Sequence, residues 1–149
     1  MVANSVPMFV GWLWKSNWGT PIDLGVRLKD GRPLFGGSKT WRGIASAVAA
    51  STFVALLVGL PVALGTLAGV GAMLGDLCSS FIKRRVGLPV GAMALGLDQI
   101  PESLFPSLLL WPFLPFTWID LTVTVAIFLV GELILSKLLF RLHVRDHPY

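Results

Sequence analysis

From Gly43 to Gly75 the chain runs for 33 residues without an Asp, Glu, Lys or Arg. A bilayer core needs about 20 apolar residues per helix, so a run of this length reads as membrane-spanning rather than as the interior of a soluble domain. Gly59, Pro61 and Gly65 interrupt it, which divides it into two helices at about 43–59 and 65–82 joined by a tight turn. Composition points the same way. Of the 149 residues only 13% are charged, about half the share of a soluble domain, and disorder is excluded with it. Ser103–Ile119 is a further uncharged run, kinked by Pro106, Pro112 and Pro115, and Leu121–Leu139 is a largely apolar one with Glu132 inside it and Lys137 near its end. Met1–Trp14 is uncharged too and lacks the basic start and cleavage site of a signal peptide.

The expected fold is therefore all-α, a polytopic transmembrane helical bundle forming a single domain over 1–149. It has about five spans, at about 1–14, 43–59, 65–82, 103–118 and 120–139. The loops 15–42 and 83–102 and the chain's end carry every Lys and Arg. The positive-inside rule makes that side cytoplasmic, with the N-terminus out and the C-terminus in. The net charge of +4 is thus a membrane charge bias, and no nucleic acid is expected as a partner. Trp12, Trp14, Trp18, Trp111 and Trp118 fall near span ends, where an interfacial belt accounts for most of them. The small residues of 43–50 and 69–75 read as close helix packing. The lone Cys78 excludes an intramolecular disulfide.

Three polar clusters are too expensive to be packing. A charge at mid-bilayer costs at least about 3 kcal/mol on insertion scales. Asp76 nevertheless lies inside the third span, with Ser79, Ser80, Lys83 and Arg84 on its helical face. A helix end neutralised by an Asp76–Lys83 pair is the structural alternative. Asp98-Gln99 with Glu102 forms the second cluster; Mg²⁺ often takes one or two carboxylates plus substrate phosphates, and Asp76 and Asp98 offer two from different elements. The third is the glycine-rich basic loop ending in Lys39, Thr40 and Arg42. It fails the Walker pattern, yet its backbone N–H groups and cations suit a phosphate at a helix start; a solvated basic loop on a lipid surface is its alternative. His143 and His147 sit in a polar tail and are not expected to bind metal.

Together these pieces resemble the CDP-archaeol synthase family, integral-membrane cytidylyltransferases related to the phosphatidate cytidylyltransferases. The resemblance rests on Asn4 and Pro7, PID-x-G at Pro21–Gly25, Asp30-Gly31, FGGSKTWRG at Phe35–Gly43, GDLCSSFIKRR at Gly75–Arg85 and LDQ at Leu97–Gln99. It covers about two-thirds of the chain. Similar sequences tend to carry a second Asp where this chain has Pro101, followed by Glu102; the alternatives are a lost ligand or its replacement by Glu102. The resemblance implies a multi-pass cell-membrane enzyme, its active site facing the cytoplasm. It would convert CTP and a lipid phosphate, archaetidate-like or phosphatidate-like, to a CDP-lipid and pyrophosphate. Implied catalytic residues are Asp76, Asp98 and Lys83, with Asp76 and Asp98 holding Mg²⁺. Implied substrate-binding residues are Asn4, Lys39, Thr40, Arg42, Ser80, Arg84 and Gln99. CTP, the lipid phosphate and membrane lipids are the implied partners. The competing class is a small membrane transporter, or a lipid- or nucleotide-binding protein without turnover. Asp23 and Asp30 receive no role from the sequence.

Overall fold

The computed structural model describes residues 19–141. The expected first span, the belt positions Trp12, Trp14 and Trp18, the binding candidate Asn4, and His143 and His147 lie outside them. Among the described residues the fold is all-helical: α1 Trp41–Leu57, α2 Val62–Val86, α3 Gln99–Leu110 and α4 Trp118–Arg141, with a 3₁₀ turn at Trp111–Phe113. Strand-like pairing is limited to two isolated bridges, Pro21 with Thr40 and Arg27 with Pro33, inside the loop before α1. The helices α2 and α4 are long and apolar enough to cross a membrane, and α1 is a shorter apolar helix. Phe53, Leu57, Ile127 and Ile134 stand exposed on their outer faces. Bare apolar surface of this kind marks a lipid-facing protein, and the chain is a membrane protein.

The helix ends follow from local chemistry. Thr40, in extended conformation, caps α1 by accepting from Gly43 N at 3.1 Å. At the other end Gly59 is left-handed (φ 76), Leu60 N donates to Ala55 O and Gly59 N to Leu56 O. This glycine-closed end turns the chain into Pro61 and α2. Gly87 (φ 92) closes α2 in the same way, with Leu88 N on Lys83 O. The helix bounds differ from the expected spans by two to four residues at most ends, and α3 stops at Leu110, short of the expected 118, because the 3₁₀ turn takes over there. α2 runs on through the basic residues to Val86, and α3 starts at Gln99, so the loop between them is confined to 87–98. Pro106 is accommodated inside α3, whereas Pro112 lies in the 3₁₀ turn that follows it and Pro115 in the link to α4, where the missing backbone donors cost no helical hydrogen bond.

α2 is the centre of the bundle, packing on α1 along one side and on α3 along another. Two glycine pairs make this possible. A Cβ on Gly65 would lie 2.5 Å from Ala55 Cβ, and one on Gly69 2.8 Å from Val48 Cα. On the other side a Cβ on Gly71 would lie 2.5 Å from Pro106 Cα, and one on Gly75 would overlap the Pro101 carbonyl. Each pair is spaced i, i+4, so each lines one face and lets a neighbouring backbone approach. The Thr52 and Thr66 hydroxyls, 3.0 Å apart, add a polar link between α1 and α2. This register brings Asp76 level with the first turn of α1. At 1.5 Å per residue the last two turns of α2 then extend roughly 12–15 Å beyond the start of α1. The loop 19–40 folds against that projecting end.

Gly75→Ala should therefore lower stability by about 1–3 kcal/mol, since the colliding atoms are backbone and cannot rotate away. Gly37→Ala, whose Cβ would meet nothing within 4 Å, should stay within about 0.5 kcal/mol of the parent. Thermal unfolding of the detergent-solubilised variants checks both.

Candidate active site

The loop 19–40 is organised around one carboxylate. Asp23 is buried; its Oδ1 accepts from Gly25 N at 3.1 Å, and its Oδ2 from Phe35 N at 3.0 Å and Gly36 N at 2.9 Å. Burial raises the Asp23 carboxyl, but the N–H groups of Gly36, Phe35 and Gly25 outweigh it and hold it below its ordinary value. The far end of the loop is tied to the C-terminus of α2. Arg85 pairs with Asp30 at 2.6 Å and donates to the Pro33 carbonyl, while Arg32 donates to the Arg84 and Arg85 carbonyls. Arg85 also lies 5.4 Å over the Phe81 ring. Asp23 and Asp30, given no role by the sequence, are thus the two carboxylates that shape and anchor the loop. The available signal was turn chemistry: Asp-x-Gly at 23–25 and Asp-Gly at 30–31 are turn formers.

With the loop so held, Lys39 reaches across to α2. Its Nζ lies 2.6 Å from both oxygens of Asp76. The structure thereby corrects the alternative of an Asp76–Lys83 pair on one helix. Lys83 instead crosses to Asp98 at 2.7 Å and donates to Ala92 O at 3.0 Å. The reason is geometric. Seven residues of helix separate Asp76 from Lys83 by about 10.5 Å of rise, whereas the adjoining loops lie beside each group. Asp98 also accepts from Ala94 N at 2.9 Å, which fixes the loop before α3.

The remaining candidates gather around these pairs. Arg84 is only 3% exposed, and its Nε and Nη1 have no hydrogen-bond partner among the described residues. Gln99 is buried, with Oε1 on Gly96 N at 2.8 Å and Nε2 unmatched among those residues. Arg42 lies half-buried in the first turn of α1, and the Thr40 hydroxyl is engaged in capping that turn. Ser80 is buried inside the bundle beside Ser79, whose hydroxyl turns back to the Asp76 carbonyl. Pro101 packs its carbonyl on Gly75, and Glu102 follows, 4% exposed and next to Gly75. The described residues contain no group of three or more His, Cys, Asp or Glu arranged to hold a metal.

A set of crossed lysine–carboxylate pairs with buried, unmatched donors, held where apolar helices meet a basic loop, defines a polar site at the edge of a membrane bundle. The chain matches the CarS-like model, described as CDP-archaeol synthase, over residues 2–67 and 58–149, and it belongs to that family. It is 42% identical to the CDP-archaeol synthase of Hyperthermus butylicus over 106 residues, 67% of this chain and 60% of that protein. It is 41% identical to that of Pyrococcus furiosus over 107 residues, 65% of this chain and 60% of that protein. The chain thus matches about 60% of the length of these relatives. A solved structure described as an intramembrane enzyme for archaeal membrane lipids biosynthesis superposes with a TM-score of 0.76 at 31% identity, over 91% of this chain and 87% of that one.

The lowered carboxyl of Asp23 sets a pH dependence. Its contribution is present above the ordinary carboxylate value of 3.8 and is lost as pH falls through the lower folded value. Thermal stability of the parent should drop faster below pH 4 than that of Asp23→Asn, measured by unfolding scans between pH 2.5 and 6.

Proposed function

We propose that the protein is a CTP-dependent lipid-phosphate cytidylyltransferase. In the reaction, an oxygen of the lipid phosphate bonds to the α-phosphorus of CTP. The bond from that phosphorus to the α–β bridging oxygen breaks, and pyrophosphate leaves with its electron pair. Such a transfer asks a protein for positioning and charge neutralisation. The observation that carries the reading is the pair of cross-element contacts, Lys39 with Asp76 and Lys83 with Asp98. They put two cations and two carboxylates on one end of an apolar bundle, where a water-soluble nucleotide and a lipid can meet.

Roles follow from donor inventories. An ammonium has three N–H groups. Lys39 commits two to Asp76, and Lys83, ion-paired with Asp98, commits one to Ala92 O, which leaves each a donor for a phosphate oxygen. Arg84, with two unmatched nitrogens, takes a further phosphate oxygen, Arg42 supports the triphosphate from the start of α1, and Gln99 Nε2 is a neutral donor beside them. Asn4 and Ser80 complete the proposed binding set as hydrogen-bonding groups for substrate. Thr40 acts through the cap that holds α1 against the loop.

Asp76 and Asp98 fit a Mg²⁺ ion by donor chemistry. Both offer only hard oxygen ligands, both already face a cation, and Mg²⁺ takes its remaining ligands from phosphates and water. Bound there, it would neutralise phosphate charge as the bond to pyrophosphate breaks. The relatives' name, CDP-archaeol synthase, favours an archaeol-type lipid phosphate over phosphatidate. We further propose the multi-pass arrangement of about five spans, N-terminus out, with this site on the cytoplasmic face of the cell membrane.

The purified protein should incorporate radiolabelled CTP into an archaeol-type lipid phosphate more efficiently than into phosphatidate, and EDTA should stop it. Lys39→Ala should weaken CTP binding about tenfold or more, the worth of a charged hydrogen bond of ~1.5–3 kcal/mol. Asp76→Asn should abolish transfer. Nucleotide binding without product in the parent would instead make the chain a binding protein.

A further inference from the structure

Lys39 is a long, flexible side chain that nevertheless meets both oxygens of Asp76 at 2.6 Å. That geometry requires its backbone root to be fixed, and the root is held on two sides. Its carbonyl accepts from Ile22 N at 2.8 Å, and its N–H donates to Gly36 O at 3.1 Å. The next residue, Thr40, bridges Pro21. Both holds converge on Asp23. It follows Ile22 in the chain, and its carboxylate receives the N–H groups of Phe35 and Gly36. Gly36 is itself buried and left-handed (φ 97). Without the carboxylate, a buried N–H would lose its acceptor, and the turn that presents Gly36 O to Lys39 would have to open toward water.

We propose that Asp23 is a positioning residue of the site: it fixes the Phe35–Gly36 turn and thereby places Lys39 on Asp76 for nucleotide binding. It touches no reacting atom and lies outside the set of residues that meet substrate. The inference rests on the reading that Lys39 contacts CTP, so the two must fail differently.

The experiment is a double-mutant cycle on CTP affinity in the detergent-solubilised full chain, with Asp23→Ala, Lys39→Ala and both together. Asp23→Ala should weaken CTP binding about three- to tenfold, and the double variant should bind no worse than Lys39→Ala alone, because groups acting through one contact are not additive. Full additivity would overturn the positioning role while leaving the Lys39 contact intact. Unchanged affinity in Lys39→Ala would overturn the nucleotide contact, and the proposal with it. A second readout needs no nucleotide. With lysines reductively ¹³C-methylated, the resonance missing from Lys39→Ala identifies Lys39. It should move toward the position of a free lysine in Asp23→Ala; an unmoved signal counts against the proposal. Where Asp23→Ala does not fold, Asp23→Asn serves. It keeps the acceptor for Gly25 but turns an amide toward the Phe35 and Gly36 donors, so it should move the Lys39 signal in the same direction.

Discussion

A carboxylate set into an apolar bundle has to be answered by a cation, and the rest of this molecule is arranged around that requirement. Asp76 sits on α2 opposite the start of α1, and its partner comes from the loop before α1 rather than from its own helix. A single ion pair in such a place contributes little net stability once desolvation is counted, whereas removing one partner strands the other. The pair is therefore better understood as a device of location. It obliges the loop to lie on the end of α2, and Asp23, Asp30 and Arg85 make that position affordable by satisfying the loop's own polar groups.

The helices meet the same requirement from below. With side chains at positions 65 and 69 on one face, and 71 and 75 on another, α2 could not lie close to two neighbours at once; glycine at all four allows it. The approach at Gly75 matters most for chemistry, because it sets the start of α3 against Asp76. That start carries Asp98, Gln99 and Glu102. Packing thus delivers the second carboxylate to the same end of the bundle as the first, and Lys83 spans the gap to it.

Much of this was legible in the sequence because its signals are local. Long uncharged runs announced the helices, and an Asp inside one of them announced the site. Lys39, Lys83 and Asp98 were selected by type and neighbourhood. What could not be read was which charge meets which, since pairing depends on the register of α1 and α3 against α2. Helical spacing offered Lys83 to Asp76, and the fold gave each a partner from another element. Asp23 was missed for a related reason: Asp-x-Gly advertises only its turn contact with Gly25, whereas the contacts to the Phe35 and Gly36 N–H groups depend on how the loop folds back. Glu102, placed by the sequence in the second polar cluster, shows its burial only through packing.

The short link between α1 and α2 carries a consequence for biosynthesis. Gly59 and Pro61 turn the chain within a few residues, so α1 and α2 form a hairpin of neighbours in sequence. Such a hairpin can enter a membrane as one unit, with both of its outer ends on one side. Each site lysine is also made before its carboxylate: Lys39 precedes Asp76, and Lys83 precedes Asp98. By the time either acid emerges, its counter-ion has already been made, so neither carboxylate has to wait for a partner still to be synthesised.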